Sequence, residues 1–426
     1  MEGAMKSQKM IIFVVFSYLL MLSACKSHHD DGVITIEPGP NAQEETQDAL
    51  NMAENGNVIQ FEAGTFDFTR RLTMESKSHV TLQGRGRNNT ILSFAGQADA
   101  GEAIFISNSN HIVVRDLEIE NAKGDALKFK DSDSIVMFNI ATTWDEPSPE
   151  NGGYGLYPVT SSNILIDSCY SYGASDSGIY VGQSDKAIVR NSLVEGNVAG
   201  IEIENTTNAD VYNNTATDNA AGILVFDLPD LSQYGKKARV FHNNVHDNIR
   251  GNFAPGGIVA EVPAGTGILV LSTKEVEVFD NSLDKNNVVG TAVASYQALV
   301  ALDIENPVSD PNYDPFPNSV YIHDNSYSRS NTYPDAGKQS FFGNLLVNSF
   351  GSNPIPDIIL DGIFAPDAGE NGTVCIEQND GSNFVNLNLP NDFPNNLSFD
   401  ASVHACGMDP LPEVQVDVPY FSRGTL

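Results

Sequence analysis

The chain has few of the groups that advertise a reaction. Over 426 residues there is one tryptophan, four cysteines and 23 basic residues against 55 acidic ones. So few cysteines exclude a disulfide-held scaffold. The net charge of −32 argues against nucleic acid and anionic membrane faces as partners, because both need a basic surface. Its other meaning is simply solubility. No HExxH helix signature is present, and His242 and His246, four residues apart, fall on a strand and turn rather than on a helix face. The Gly84–Arg87 stretch GRGR lacks the strand, lysine and helix of a phosphate loop. No Ser–His–Asp set is recognisable from spacing. Long apolar runs are missing as well. The longest, IIFVVFSYLLML from Ile11 to Leu22, has twelve residues, too short to span a bilayer.

What is present is a repeat. Gly155, Gly178, Gly200 and Gly222 open the segments GLYPVTS, GIYVGQS, GIEIENT and GILVFDL, spaced by 23, 22 and 22 residues. Within each segment apolar residues alternate, as in a half-buried strand. A period near 22 residues predicts a solenoid. A second column fixes the register: an apolar residue three places before a polar one, as in Leu165/Ser168, Ile188/Asn191, Val211/Asn214, Val240/Asn243, Val278/Asn281 and Ile322/Asn325. One coil is then strand, turn, strand, turn, with room for a third short strand. The predicted fold is all-β: a single-stranded right-handed parallel β-helix, its Asn side chains bonded along the axis. Ala42, Thr46, Ala49, Leu50 and Ala53 recur at helical spacing and predict a short helical cap on the N-terminal end.

The domain plan follows. Residues 1–24, with Lys6 and Lys9 before the apolar run, read as a signal peptide. Leu22-Ser23-Ala24-Cys25 resembles a bacterial lipobox, so Cys25 is the expected lipidation site, and stable anchoring takes two acyl chains or more. Residues 25–32 form a tether, 33–345 the β-helix, and 346–426 a C-terminal cap segment. Cys375 and Cys406, in an exported protein, are expected to form a disulfide. Cys169 is expected to be a buried thiol.

At WDEPSPENGGYGLYPV (Trp144 to Val159), GASDSGIYVGQS (Gly173 to Ser184), GIEIEN (Gly200 to Asn205), GILVFDLPDL (Gly222 to Leu231), NFAPGG and VPAGTGILVL (Asn252 to Leu271) the chain resembles bacterial right-handed β-helix proteins. That class contains polysaccharide lyases, epimerases and hydrolases. Within it the chain more closely resembles one uncharacterised exported family of parallel β-helix repeat proteins. The resemblance covers most of residues 33–345. It implies the fold, a cell-envelope location and an exported partner protein, but no particular reaction. The Asp-Pro-His-Asp motif of alginate epimerases is missing.

Four interruptions break the period, and in a solenoid such insertions mark function. Asp145–Tyr154 and Ile249–Thr266 precede a Gly-led strand; Leu228–Lys236 and Asp303–Asn318 follow one. Together they are expected to wall a groove. Its floor should be two outward rows: Phe105, Lys128, Tyr157, Tyr180, Glu202, Leu224, Leu269, and Ser107, Lys130, Val159, Gly182, Glu204, Phe226, Leu271. The apolar half should lie beneath the Ile249–Thr266 loop, since an open patch of that size favours association.

A polysaccharide is the expected ligand, bound by a monomer. Candidate catalytic residues are Lys128, Tyr157, Tyr180, Glu202 and Glu204. Lys128, with Lys130 as its substitute, would neutralise a uronate, and a tyrosine would act as acid or base in β-elimination. Glu202 and Glu204 instead form a carboxylate pair for glycoside hydrolysis. Trp144 would stack on a sugar ring. Asp176 and Asp227, with the two glutamates, offer oxygen ligands suited to Ca²⁺. The competing reading is a non-catalytic binding or assembly module acting with the exported partner.

Overall fold

The computed structural model describes residues 32–420 apart from 100, 330–338, 352 and 370. The signal peptide, tether and Cys25 lie outside the described residues. From Val33 onward the chain winds as a parallel β-solenoid. A central coil has three strands, Ser177–Gly182, Asp185–Arg190 and Leu193–Glu195, so the third short strand is present. The Gly-led strands stack into one sheet of eleven, and the other two strands of each coil share a second sheet. Pairing is parallel with a shift of one coil: Tyr180 pairs with Glu202, and Glu202 with Leu224.

The glycine that opens each strand is there because coils approach closely at the bend. A Cβ on Gly200 would lie 2.6 Å from the Gly222 carbonyl oxygen, and one on Gly222 would lie 2.7 Å from that of Gly267. Only hydrogen fits such a column.

Inside, the alternating apolar residues build one continuous core running from Ile36 to Phe384. Two asparagine ladders close the turns. In the first, the Asn214, Asn243, Asn281 and Asn325 amides bond successively at 2.9–3.1 Å. In the second, Asn197, Asn219, Asn248 and Asn286 do the same at 2.9–3.1 Å. Each buried amide is satisfied by its neighbours above and below. The expected column is correct from Asn214 onward and shifted in earlier coils. There Ser168 and Asn191 occupy the left-handed position with φ of 60° and 53°, and the ladder passes through the next residues, Cys169 and Ser192. Cys169 is a buried free thiol.

The N-terminal helix runs Ala42–Met52 and buries Ala42, Thr46, Ala49 and Leu50 against the first coils. The expected boundary at 345 is too early. Ile358–Leu360, Val374–Glu377 and Phe384–Asn386 pair in parallel with preceding coils, so the solenoid continues to Asn386. The helix Phe341–Phe350 belongs to an insertion within it. Cys375 and Cys406 are disulfide-bonded.

Past the disulfide the chain turns back along the outside. Glu277 accepts from the Leu411 N–H at 3.0 Å, Asp210 from Val414 at 3.1 Å and Asn163 from Asp417 at 3.2 Å. Val414, flanked by Val416 and Val418, covers an outward apolar stripe of Val113, Val136, Phe138, Leu165 and Ile188. No helix among the described residues is long and apolar enough to cross a membrane.

Candidate functional site

The two outward rows are in the expected register, because register and repeat are the same thing in a solenoid. Lys128 pairs with Phe105 and Tyr157, Tyr180 with Glu202, and Glu202 with Leu224. The apolar half is closed over. Leu224, Phe226 and Leu271 pack against Val259, Val262 and Ala264 of the long loop. The helix Tyr296–Ala301 adds Ala298 and Leu299 to the same apolar cleft, whose lining includes Phe342 of the later insertion. On the other edge the two remaining insertions meet each other: the Tyr234 and Tyr313 rings lie 5.4 Å apart, and Tyr234 bonds to Asp310.

The polar half is a compact cluster. Three tyrosine rings converge: Tyr154–Tyr157 at 4.5 Å, Tyr154–Tyr180 at 4.6 Å and Tyr157–Tyr180 at 4.9 Å between centroids. Such tilted and edge-on pairs are favourable beyond the area they bury. Tyr180 crosses over Gly182 to donate to Glu204 at 2.7 Å. A Cβ on Gly182 would sit 2.3 Å from the Tyr180 ring, so the missing side chain makes this reach possible. The Ser177 hydroxyl lies 2.5 Å from Glu202 and 3.2 Å from Asp176, with one proton to give to either, and Tyr154 bonds to Asp176. Lys128 lies 3.3 Å from both Glu102 and Asp125 and 4.4 Å from the Tyr157 ring centre.

Burial dominates the electrostatics. It pushes Asp176 up to about 7, with Glu204 and Asp125 adding repulsion. Burial also raises Glu202 well above the usual carboxylate range, reinforced by Asp176 and Glu204. Glu204 is raised too, although the Tyr180 hydroxyl works against the shift. Asp125 is raised by burial despite Lys128. Burial works to raise Glu102 as well, but its own backbone N–H and the Arg71 and Lys128 cations hold it below the usual range. The phenols of Tyr154, Tyr157 and Tyr180 are all pushed above 10, chiefly by burial. They are hydrogen-bond donors at neutral pH.

The expected residues thus divide. Lys128, Tyr157, Tyr180, Glu202, Glu204 and Asp176 come together. Trp144 does not join them: it is 5 % exposed and its indole N–H donates to the Ala122 carbonyl at 2.8 Å, so no ring face is left for a sugar. Lys130 is exposed at the strand end, 4.0 Å from Asp131. Asp227 is buried at the foot of the opposite wall, accepting from the Gly235 N–H at 2.7 Å, with burial pushing it up to about 7. Among the described residues no three His, Cys, Asp or Glu side chains converge as metal ligands, so the carboxylates expected to hold Ca²⁺ do not form such a group.

Tyr154, Asp125 and Glu102 escaped the sequence reading. Strict alternation stops where the strand bends at its glycine, and the residue before the bend turns outward again. Tyr154 pairs with Ser177 in this third row. The position immediately before each strand-opening Gly or Ala was the signal available.

Residues 102–262 match the family described as "Right handed beta helix region". Among solved structures, a mutant of DFA-IIIase from Arthrobacter chlorophenolicus A6, in complex with DFA-III, is similar over 91% of both chains at 12% identity and a TM-score of 0.51. The mannuronan C-5 epimerase AlgE4 A-module of Azotobacter vinelandii is similar over 82% of this chain and 92% of that one, at 15% identity and a TM-score of 0.47. Endopolygalacturonase I from Stereum purpureum is similar over 69% and 96%, at 13% identity and a TM-score of 0.42. The fold is a right-handed parallel β-helix.

Proposed function

We propose that this protein binds a polysaccharide along the polar half of the Gly-led sheet and cleaves or modifies it there. One observation carries the reading: the Tyr154–Tyr157–Tyr180 cluster lies on adjacent coils beside Asp176, Glu202 and Glu204, of which Asp176 bonds to Tyr154 and Glu204 to Tyr180. Coils stack about 4.8 Å apart, so a few of them match several units of an extended polymer. Aromatic side chains offer apolar surface and polar edges to a sugar. Carboxyls whose proton affinity is raised by burial can give and take protons nearer neutral pH than free ones.

The depth of Glu202, 3 % exposed and bonded by Ser177, favours the second reading, a binding or assembly module in which these carboxyls are structural. A panel of neutral and uronic polysaccharides, with and without Ca²⁺, separates the two when binding and product formation are both followed. Products lost in Tyr180→Phe support catalysis, and binding without products supports the module. No binding to any glycan refutes the carbohydrate reading.

The chain is further proposed to be exported and held in the cell envelope by lipid on Cys25, beside an exported partner. The support is the lipobox-like sequence Leu22–Cys25. Cys25→Ser should release the protein from the membrane fraction; unchanged processing and retention would contradict this.

A further inference from the structure

The inference rests on the carbohydrate reading and narrows its substrate class. Elimination and epimerisation both remove a proton beside a uronate carboxylate, and both need a cation to neutralise that carboxylate and a base to take the proton. The polar floor supplies no free cation.

Its cation is already committed. Lys128 sits between Glu102 and Asp125 at 3.3 Å each, with the Tyr157 ring on another side. Arg71, the next cation, bonds to Glu102 at 2.8 Å. Lys130 lies in the other row, three coils from Glu204 through Val159 and Gly182, roughly 14 Å away at the usual spacing. The side chains directly around Asp176, Glu202 and Glu204 are Ser177, Tyr154 and Tyr180. A uronate placed there would meet carboxyls on every coil and no uncommitted cation among the described residues.

What remains suits hydrolysis. Asp176 and Glu204 are each half-buried, whereas Glu202 is buried. We infer that the site takes a glycan free of carboxylates and hydrolyses its glycosidic bond, with Asp176 as acid and Glu204 as base. The oxygen of water bonds to the anomeric carbon as the carbon–oxygen bond to the leaving sugar breaks. The Asp176 proton goes to the leaving oxygen, and the proton released by water goes to Glu204. Glu202, 3 % exposed and bonded to Ser177, takes no part in the proton transfers.

The test incubates the full chain with uncharged hexose and hexosamine glycans and with polygalacturonate and alginate. Reducing ends, the absorbance of unsaturated uronides and binding are read in parallel. Reducing ends should appear from a uronate-free glycan. They should fall by about 100-fold or more in Asp176→Asn and in Glu204→Gln, with circular dichroism unchanged. Unsaturated or epimerised uronate products would overturn the inference and leave the carbohydrate reading standing. So would binding of a glycan without any product, or hydrolysis indifferent to both substitutions in folded protein. Failure to bind any glycan would remove the carbohydrate reading and this inference together.

Discussion

Replacing Glu202 by Gln should stabilise the protein at neutral pH and leave it unchanged in mild acid. Glu202 is buried, accepts from Ser177, and has its proton affinity raised by burial and by Asp176 and Glu204. In the unfolded chain it titrates near 4.5. A folded-state value above the unfolded one means that the stabilising contribution is complete below the unfolded value and declines as pH rises toward the folded one. Each pH unit in that window removes about 1.4 kcal/mol. The loss therefore grows from 4.5 toward neutrality for as long as the folded carboxyl keeps its proton. Glutamine has the same shape, offers Ser177 a carbonyl oxygen and has no proton to lose. Thermal denaturation of both proteins between about pH 4 and pH 8 checks this. The curves should coincide near pH 4 and separate above about 4.5 by about 1.4 kcal/mol per pH unit, with the variant the more stable at pH 7. Asp227 and Asp361, also raised to about 7 by burial, remain in both proteins and cancel in the difference. A constant offset across the range, or a variant less stable at pH 7, would show that Glu202 is ionised in the fold and that the reasoning is wrong.

Three further outcomes are expected. Tyr180→Phe removes the hydroxyl that favours ionised Glu204; at about 1.5–3 kcal/mol for such a bond, Glu204 should titrate about one to two units higher, as read from its carboxyl carbon resonance. Asn243→Ala deprives Asn214, Asn281 and the Val211 carbonyl of buried partners, and the melting curve should report a loss of about 4 kcal/mol or more; a near-neutral change would refute the ladder as a stabilising device. Ending the chain before Leu411 uncovers Val113, Val136, Leu165 and Ile188. It should lower stability by about 2–3 kcal/mol and raise binding of an apolar dye, while the Arg239–Asp210 pair at 2.6 Å survives.

The repeat was legible in the sequence for a physical reason. In a solenoid each residue's neighbour lies one period away, so spacing along the chain is also pairing across the sheet. Gly155, Gly178, Gly200 and Gly222 therefore announced the tight column, and Lys128, Tyr157, Tyr180 and Glu202 announced a shared row. The cover over Leu224 and Phe226 was legible too, because an exposed apolar row demands one. What broke the period needed the tertiary structure. The Trp144 indole is consumed by a carbonyl 22 residues away, and Tyr154 and Asp125 join the site from the position just before Gly155 and Ala126. The raised proton affinities of Asp176, Glu202 and Glu204 come from burial, which no local pattern encodes. The bond from the Val414 N–H to Asp210 spans 204 residues. Periodicity decided which residues stack; the non-repeating contacts decided which of them are dry, paired or charged.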